Sequence, residues 1–426
     1  MQVYFHTLGC KVNRYETEQI KKQLENSGFS VCALPEEADL IVVNSCTVTA
    51  ESDRKTRQLV RRYRSKNEGA AILLTGCMPQ AFPEQAKSLP ADIILGNGNE
   101  RNVISAVNEF FETGQRVIKI NPHKKGERFD SETLNTFEER TRAYMKIEDG
   151  CDRGCTYCII PRARGRVRSR SIEQITAEAA ALAKRGFREV VLVGINLSSF
   201  GKDIGITLAD AVEAVAGVEA IRRIRLGSLE PDLTDNKLLD RLLKIEKFCP
   251  QFHLSLQSGC NNTLKRMNRL YTSGEYKSLV KNIRLRWQDA TVTTDIMVGF
   301  AGETLQDFND SLEFAKEIGF LKAHIFPYSV RNSTAAAGFE NMVPEKEKER
   351  RASIMARECK NISKEILEGY ANKNLEVLFE TTEGNYAVGY SKGYVKVYAE
   401  VGPQVLKTIR SVKVKCIFKD GVLAEI

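Results

Sequence analysis

Cys151-Asp152-Arg153-Gly154-Cys155-Thr156-Tyr157-Cys158, followed by the apolar Ile159-Ile160-Pro161, gathers three cysteines in one short loop and offers no fourth ligand beside them. A closed structural metal site takes four protein ligands, whereas an iron-sulfur cube held by three thiolates keeps one iron free to bind something else. The spacing therefore points to a catalytic centre rather than a brace.

Outward from this loop the chain alternates strand and helix. A strand at 144–147 precedes it, and further strands are expected at 189–194, 221–227, 252–256, 292–298 and 323–328. Helical periodicity marks 172–185, 208–216, 236–247, 262–284 with a break near Thr272, and 305–318. Six such units over about 190 residues fall short of the eight units and about 250 residues of a closed parallel barrel, so an incomplete barrel is predicted. The working rim of such a barrel is the carboxyl end of its strands, where the cysteine loop sits. Polar tails gather at the same rim: Asn196, Ser228 with Glu230, Gln257 with Ser258, and Gly302-Glu303. They suit a small cofactor with ribose, amine and carboxylate groups. Past the loop, Arg162, Arg164, Arg166, Arg168 and Arg170 alternate around Gly165. In an extended segment all five would face one side, either to recruit an anionic substrate or as a solvated charge run.

Toward the N-terminus, apolar runs at 3–5, 40–43 and 72–74 lead to Cys10, Cys46 and Cys77, with amphipathic helices at 16–27 and 52–65 after the first two. Continuous apolar strands followed by helices make a parallel sheet covered on both faces, and ligands sit beyond its carboxyl edge. Three cysteines distant in sequence are thereby expected at one edge, as a second three-cysteine cluster. Cys32, Cys249, Cys260, Cys359 and Cys416 are read as separate buried thiols. Arg54, Arg57, Arg61 and Arg64 share one face of the second helix, which suits phosphate contact or a solvated surface.

The predicted division is an N-terminal parallel α/β domain at 1–115, a polar linker at 116–140, a partial barrel at 141–370 and a small antiparallel β-barrel at 371–426. The last is read from a charged helix at 345–370 and strands at 375–379, 386–390, 395–398, 404–409 and 412–418, separated by glycines. Within it Tyr386, Tyr390, Tyr394 and Tyr398 interleave with Lys392 and Lys396, which suits stacking on single-stranded or looped RNA, or completes a minimal core.

Composition is that of a soluble enzyme: 426 residues, 42% hydrophobic and 28% charged, with no apolar run long enough to span a membrane and no leader pattern. A cytoplasmic location without a membrane partner is expected. Eleven cysteines, an odd number, fit metal ligands and buried thiols better than a disulfide framework. The net charge of +8 favours a polyanionic partner.

The CxxxCxxC loop at the mouth of a partial barrel resembles the radical S-adenosylmethionine (SAM) superfamily. Together with Leu8-Gly9-Cys10-Lys11-Val12-Asn13, Asn44-Ser45-Cys46-Thr47-Val48, Gly76-Cys77, Gly194-Ile195-Asn196-Leu197-Ser198-Ser199 and Leu254-Ser255-Leu256-Gln257-Ser258-Gly259, nearly the whole chain resembles the methylthiotransferases. It is most similar to the branch acting on N6-threonylcarbamoyladenosine beside the tRNA anticodon. The resemblance implies that Cys151, Cys155 and Cys158 hold one 4Fe-4S cluster whose open iron chelates SAM. Cys10, Cys46 and Cys77 would hold a second 4Fe-4S cluster carrying the sulfur to be inserted. Reduction of the first would yield a 5′-deoxyadenosyl radical that takes hydrogen from C2 of the adenine. It further implies that Tyr157, Glu230 and Gln257 contact SAM, that the terminal barrel is an RNA-binding TRAM domain, and that a low-potential donor such as flavodoxin or ferredoxin and a sulfur source act as partners with the tRNA anticodon stem-loop. The sequence departs from the family at Ala301, where proline is usual, and at Asn332-Ser333-Thr334, where Gly-Thr is usual. The competing readings are methylthiolation of N6-isopentenyladenosine, against which Val12-Asn13-Arg14 argues, and a nonenzymatic iron-sulfur or zinc protein that binds RNA.

Overall fold

In the computed structural model, residues 1–98, 102–124, 126–129 and 141–426 are described. The N-terminal sheet is wholly parallel. Strands β1 (Gln2–Thr7), β2 (Ser30–Val31), β3 (Leu40–Ser45), β4 (Ala71–Gly76), β5 (Ile93–Leu95) and β6 (Val117–Lys119) lie in the order β2-β1-β3-β4-β5-β6. Alternate residues serve opposite faces: Leu40, Val42 and Leu73 pack in one layer, Ile41, Val43 and Leu74 in the other, and none is exposed. That is why the sequence runs apolar without alternation. Helix α1 (Lys11–Asn26) starts directly after Cys10, earlier than its periodicity suggested, and α2 (Ala50–Lys66) is capped by Thr49, whose hydroxyl accepts from the Ser52 amide. Strand β6 carries the sheet past residue 115 into the stretch expected as a linker. Residues 125 and 130–140 of that expected linker lie outside the described residues.

Strands β7 (Arg142–Lys146), β10 (Glu189–Val193), β11 (Arg223–Leu226), β12 (Ser228–Leu229), β13 (Gln251–Leu254), β14 (Thr291–Val298) and β15 (Lys322–Pro327) form the half-barrel, every neighbouring pair parallel, with β12 continuing the line of β11 across Gly227. The small pair β8 (Glu148–Asp149) and β9 (Arg168–Ser169) is antiparallel and pins the base of the cysteine loop. Helices Ile172–Lys184, Leu208–Ala216, Asn236–Leu243, Ser273–Arg286 and Leu305–Ile318 cover the outer face, joining the strands in one large apolar core. Among the described residues no strand closes β7 to β15, so the lumen is open along one side, and the N-terminal sheet stands there.

The C-terminal segment is a closed barrel of β16 (Asn374–Glu383), β17 (Tyr386–Ser391), β18 (Lys396–Ala399), β19 (Ile409–Phe418) and β20 (Gly421–Glu425). Residues 404–409, expected as a strand, begin in a short turn of helix, Pro403–Val405, and join a strand only at Ile409, and the fifth strand is instead the C-terminal β20. The tyrosines divide. Tyr398 is buried, edge-on to Phe418, so it completes the core. Tyr390 and Tyr394 stack at 4.7 Å, with the Arg142 guanidinium 4.9 Å from the first ring and that of Arg225 4.9 Å from the second. This pair therefore docks the small barrel on the half-barrel, helped by hydrogen bonds from Arg225 to the carbonyls of Ser391 and Lys392. Lys396 is held by Glu383 and Asp420. The aromatic and basic alternation thus serves packing and docking.

Candidate functional site

The loop bearing Cys151, Cys155 and Cys158 is fixed by backbone bonds at both ends: Cys151 N–H donates to the Gly165 carbonyl and Thr156 N–H to that of Met267. Its sulfurs meet N–H donors. Asn196 Nδ2 and the Arg153 amide each lie 3.5 Å from Cys151 Sγ, and Arg269 Nη1 lies 3.3 Å from Cys155 Sγ. Burial pushes the Cys151 thiol up to about 11 and the Cys158 thiol up to about 12. Metal binding, which displaces the proton, is the way such buried thiols become thiolates.

Of the expected cofactor contacts, Tyr157 packs edge-on to Phe300, ring centroids 6.3 Å apart, on an apolar floor with Met267 and Met297. Glu230 is ion-paired with Arg269, the same residue that reaches Cys155. Gln257 has a left-handed backbone, φ 64°, and its Oε1 is buried without a hydrogen-bond partner. A buried amide oxygen left unsatisfied in a strained residue suits a polar ligand at that point. Arg269 escaped the sequence reading because it lies in the break between two helices, where no pattern distinguishes it.

The second trio meets at the carboxyl edge of the N-terminal sheet. Cys10 caps α1, Cys46 follows β3, and Cys77 opens the short helix Cys77–Ala81. A Cβ on Gly9 would lie 2.8 Å from Cys46 Cβ and 3.2 Å from its sulfur, so only glycine lets the Cys10 turn lie this close. Gly76, at φ +95°, likewise leaves no room for a side chain against the Ser45 carbonyl, 2.5 Å away. The Asn13 amide donates to Ser45 O at 2.8 Å and Leu8 O at 3.1 Å, tying the Cys10 turn to β3. The Ser45 hydroxyl donates to Thr75 O and accepts from Met78 N–H, tying β3 to the Cys77 turn. Burial raises the Cys46 thiol, and it pushes Cys77 up to about 12 against the opposing charge of Arg164. Among the described residues, no three His, Cys, Asp or Glu side chains converge on a point that would hold a single metal ion.

Arg164 ties the second trio to the base of the first loop. It is fully buried, and its Nε lies 3.3 Å from Cys77 Sγ. Its terminal nitrogens ion-pair with Glu16, reach Asn13 Oδ1 at 2.9 Å and approach Asp149 at 3.4 Å. Lys146 bridges the same acids, 2.7 Å from Glu16 and 2.8 Å from Asp149. Burial alone would raise the Glu16 carboxyl, and Arg164 and Lys146 hold it below the usual range. A second clamp sits beyond Cys46, where buried Arg331 bonds Asp53 at 2.5 Å and Thr47 at 2.8 Å.

The arginine run behaves otherwise than expected. The helix Ile160–Arg164 interrupts the extended path, so Arg164, Arg168 and Arg170 turn inward to buried carboxylates while Arg162 and Arg166 stay exposed. On α2, Arg54 pairs with Glu51 and Arg64 with Asp92, so half of that expected phosphate face is taken. Cys249, Cys260 and Cys359 are buried, but Cys416 is exposed beside a register shift in β19, and Cys32 is partly so just past the edge strand β2.

Between Cys10 of the second trio and Tyr394 of the small barrel lies a cavity of about 350 Å³ in the lumen of the half-barrel. Cys10 and Lys11 close its open side, Tyr394 its floor, and its wall carries Gln251, His253, Thr293, Asp295, Lys322 and His324. His253 is engaged by Asp295 and Thr293, both at 3.1 Å. Burial lowers the Lys11 ammonium, with Tyr394 opposing and Arg142 and Arg225 adding to the effect.

Two families match this chain: an uncharacterised family, UPF0004, over residues 2–96 and the Radical SAM superfamily over residues 145–315. The chain is 37% identical to the threonylcarbamoyladenosine tRNA methylthiotransferase MtaB of Thermotoga maritima, covering 99% of this chain and 96% of the relative. It is 35% identical to MtaB of Bacillus subtilis, covering 97% and 93%. A tRNA-2-methylthio-N(6)-dimethylallyladenosine synthase from Pelotomaculum thermopropionicum is 37% identical over a shorter span, 87% of this chain and 85% of that one. Among solved structures, the radical S-adenosylmethionine methyltransferase TsrM of Kitasatospora setae superposes with a TM-score of 0.57 at 14% identity, covering 91% of this chain and 77% of that one, which is a likeness of fold.

Proposed function

Since this chain belongs to the radical SAM methylthiotransferase family, in its MtaB branch, we propose that its two cysteine trios hold two separate clusters for the methylthiolation of N6-threonylcarbamoyladenosine in tRNA. The enzyme works with SAM and an iron-sulfur cluster. Bound at Cys151, Cys155 and Cys158, a cluster with SAM supplies one-electron cleavage chemistry, and a second at Cys10, Cys46 and Cys77 supplies sulfur.

The protein's own groups do the rest. Asn196, the Arg153 amide and Arg269 offer hydrogen bonds to the first set of sulfurs, favouring their thiolate form. Tyr157 and Phe300 form an apolar wall, while Glu230 and Gln257 offer acceptors to the polar groups of SAM. Arg164 locks the second trio against the base of the first loop, so the two act on one substrate. The observation that carries this reading is that Cys10 lines the barrel lumen itself, bringing the edge of one sheet into the cavity of another. A polar cavity with lysine, histidine and threonine walls suits a threonylcarbamoyl group better than an apolar dimethylallyl chain.

The C-terminal barrel serves as the tRNA handle through its exposed Lys407, Arg410 and Lys413. A low-potential electron donor and a sulfur source complete the cycle. Among the described residues no helix is long and apolar enough to cross a membrane, and a cytoplasmic site of action fits a tRNA substrate. The test is anaerobic reconstitution with iron and sulfide analysis, followed by incubation with SAM, reductant and tRNA bearing either modification. Nucleoside mass spectrometry should show the methylthio product from the threonylcarbamoyl tRNA; one cluster per chain, or product only from the isopentenyl tRNA, overturns the assignment.

A further inference from the structure

We propose that Lys11 and Lys322, facing the lumen cavity from opposite partners, are the residues that read the threonyl carboxylate of the substrate. The inference rests on the reading above and adds the basis of its specificity.

The geometry starts from the nucleoside. In adenine, C2 and the N6 nitrogen flank N1 on one edge of the ring, so whatever reads the N6 substituent must stand beside whatever alters C2. Lys11 follows Cys10 directly, and both line the cavity. Lys322 opens β15, the strand at the open side of the half-barrel, and lines the same cavity.

The electrostatics are one-sided. The cavity wall carries Lys11, Lys322, His253 and His324 against a single acid, Asp295. Asp295 is taken by His253 at 3.1 Å. Nearby Arg225 is neutralised by Glu189 at 3.0 Å and Arg142 by Glu380 at 2.5 Å. Neither lysine forms an ion pair or hydrogen bond among the described residues. Lys11 Nζ stands 5.9 Å from the Tyr144 ring and remains accessible from the cavity. Two ammonium groups without ion-pair partners, in a cleft whose single acid is already engaged, make its potential positive and favour an anion. The threonylcarbamoyl substituent carries one carboxylate, and its hydroxyl and urea groups match Thr293 and Gln251 on the same wall. An isopentenyl group has nothing to offer these ammonium groups.

The experiment uses the reconstituted full-length enzyme and three anticodon stem-loop RNAs: one carrying threonylcarbamoyladenosine, one its carboxyl methyl ester and one unmodified adenosine. K11M and K322M should keep the wild-type iron and sulfide content. Each should bind the threonylcarbamoyl stem-loop about tenfold more weakly, as loss of one charge-assisted bond requires. Binding of the ester and of the unmodified stem-loop should be unchanged. If the loss is equal for all three RNAs, the lysines touch the phosphate backbone and the inference falls; it falls equally if no RNA loses affinity. If the wild type shows no preference for the threonylcarbamoyl stem-loop, the underlying functional reading fails as well.

Discussion

Arg164 places its Nε 3.3 Å from Cys77 Sγ while its terminal nitrogens hold Glu16. One guanidinium thus touches a sulfur of the N-terminal edge, a carboxylate of α1 and, through Asp149, the base of the half-barrel's cysteine loop. This buried ion network ties the N-terminal sheet edge to the base of the cysteine loop.

Removing that guanidinium should be costly in a specific way. Arg164→Met leaves Glu16 and Asp149 with only Lys146 and Arg168 between them. The expected loss is about 3–5 kcal/mol, the usual result of breaking one partner of a buried pair. Urea denaturation reads it. A loss below about 1 kcal/mol would mean that Lys146 and Arg168 suffice for both acids.

The trios should be separable by chemistry. Cys155→Ala is expected to abolish SAM cleavage under reduction, whereas Cys46→Ala should retain cleavage and lose methylthiolation, each with about half the wild-type iron. Product analysis by mass spectrometry decides. Methylthiolated tRNA from the Cys46 variant would end the sulfur-carrier assignment.

On the small barrel, the tyrosine pair and the surface cations should part company. Lys407→Ala, Arg410→Ala and Lys413→Ala together should weaken tRNA binding whatever the modification, and flatten the dependence of log K on log salt by about 0.9 for each phosphate no longer neutralised. Tyr394→Ala removes the stack on Tyr390 and the cation–π pairing with Arg225, so it should lower the unfolding midpoint and leave that salt slope alone. An unchanged slope in the triple variant would place the RNA surface elsewhere.

Acid should weaken the helix Leu305–Ile318 through Asp307. Burial alone would raise this carboxyl, but the Thr304 amide, Cys260, Arg266 and Asn262 hold it well below the usual range. A depressed folded value means the stabilisation is present above the unfolded value of about 3.9 and is lost as pH falls through the folded one. Asp307→Asn should therefore be less stable than wild type at about pH 7, with the gap closing as pH drops below about 4. A gap independent of pH would show that the capping geometry, and not the charge, carries the effect.

What could be read from the sequence was whatever is local in the chain. The cysteine loop, the runs Leu40–Ser45 and Ala71–Gly76, and the helices Leu208–Ala216 and Leu305–Ile318 declare themselves because burial on one or both faces imposes a short period on neighbouring residues. Short strands without such a period, Val117–Lys119 and Gly421–Glu425, did not, since their partners supply the pairing. The placement of Cys10, Cys46 and Cys77 at one edge also followed, because each ends a parallel strand. Only the tertiary structure decided which arginines are buried, that Tyr394 and Lys11 reach one cavity, and that Arg269 stands beside Cys155. Those facts depend on contacts between residues more than a hundred positions apart, such as Arg164 with Glu16 and Arg225 with Ser391. Charge and aromatic spacing in one segment cannot show what a distant carboxylate or ring will claim.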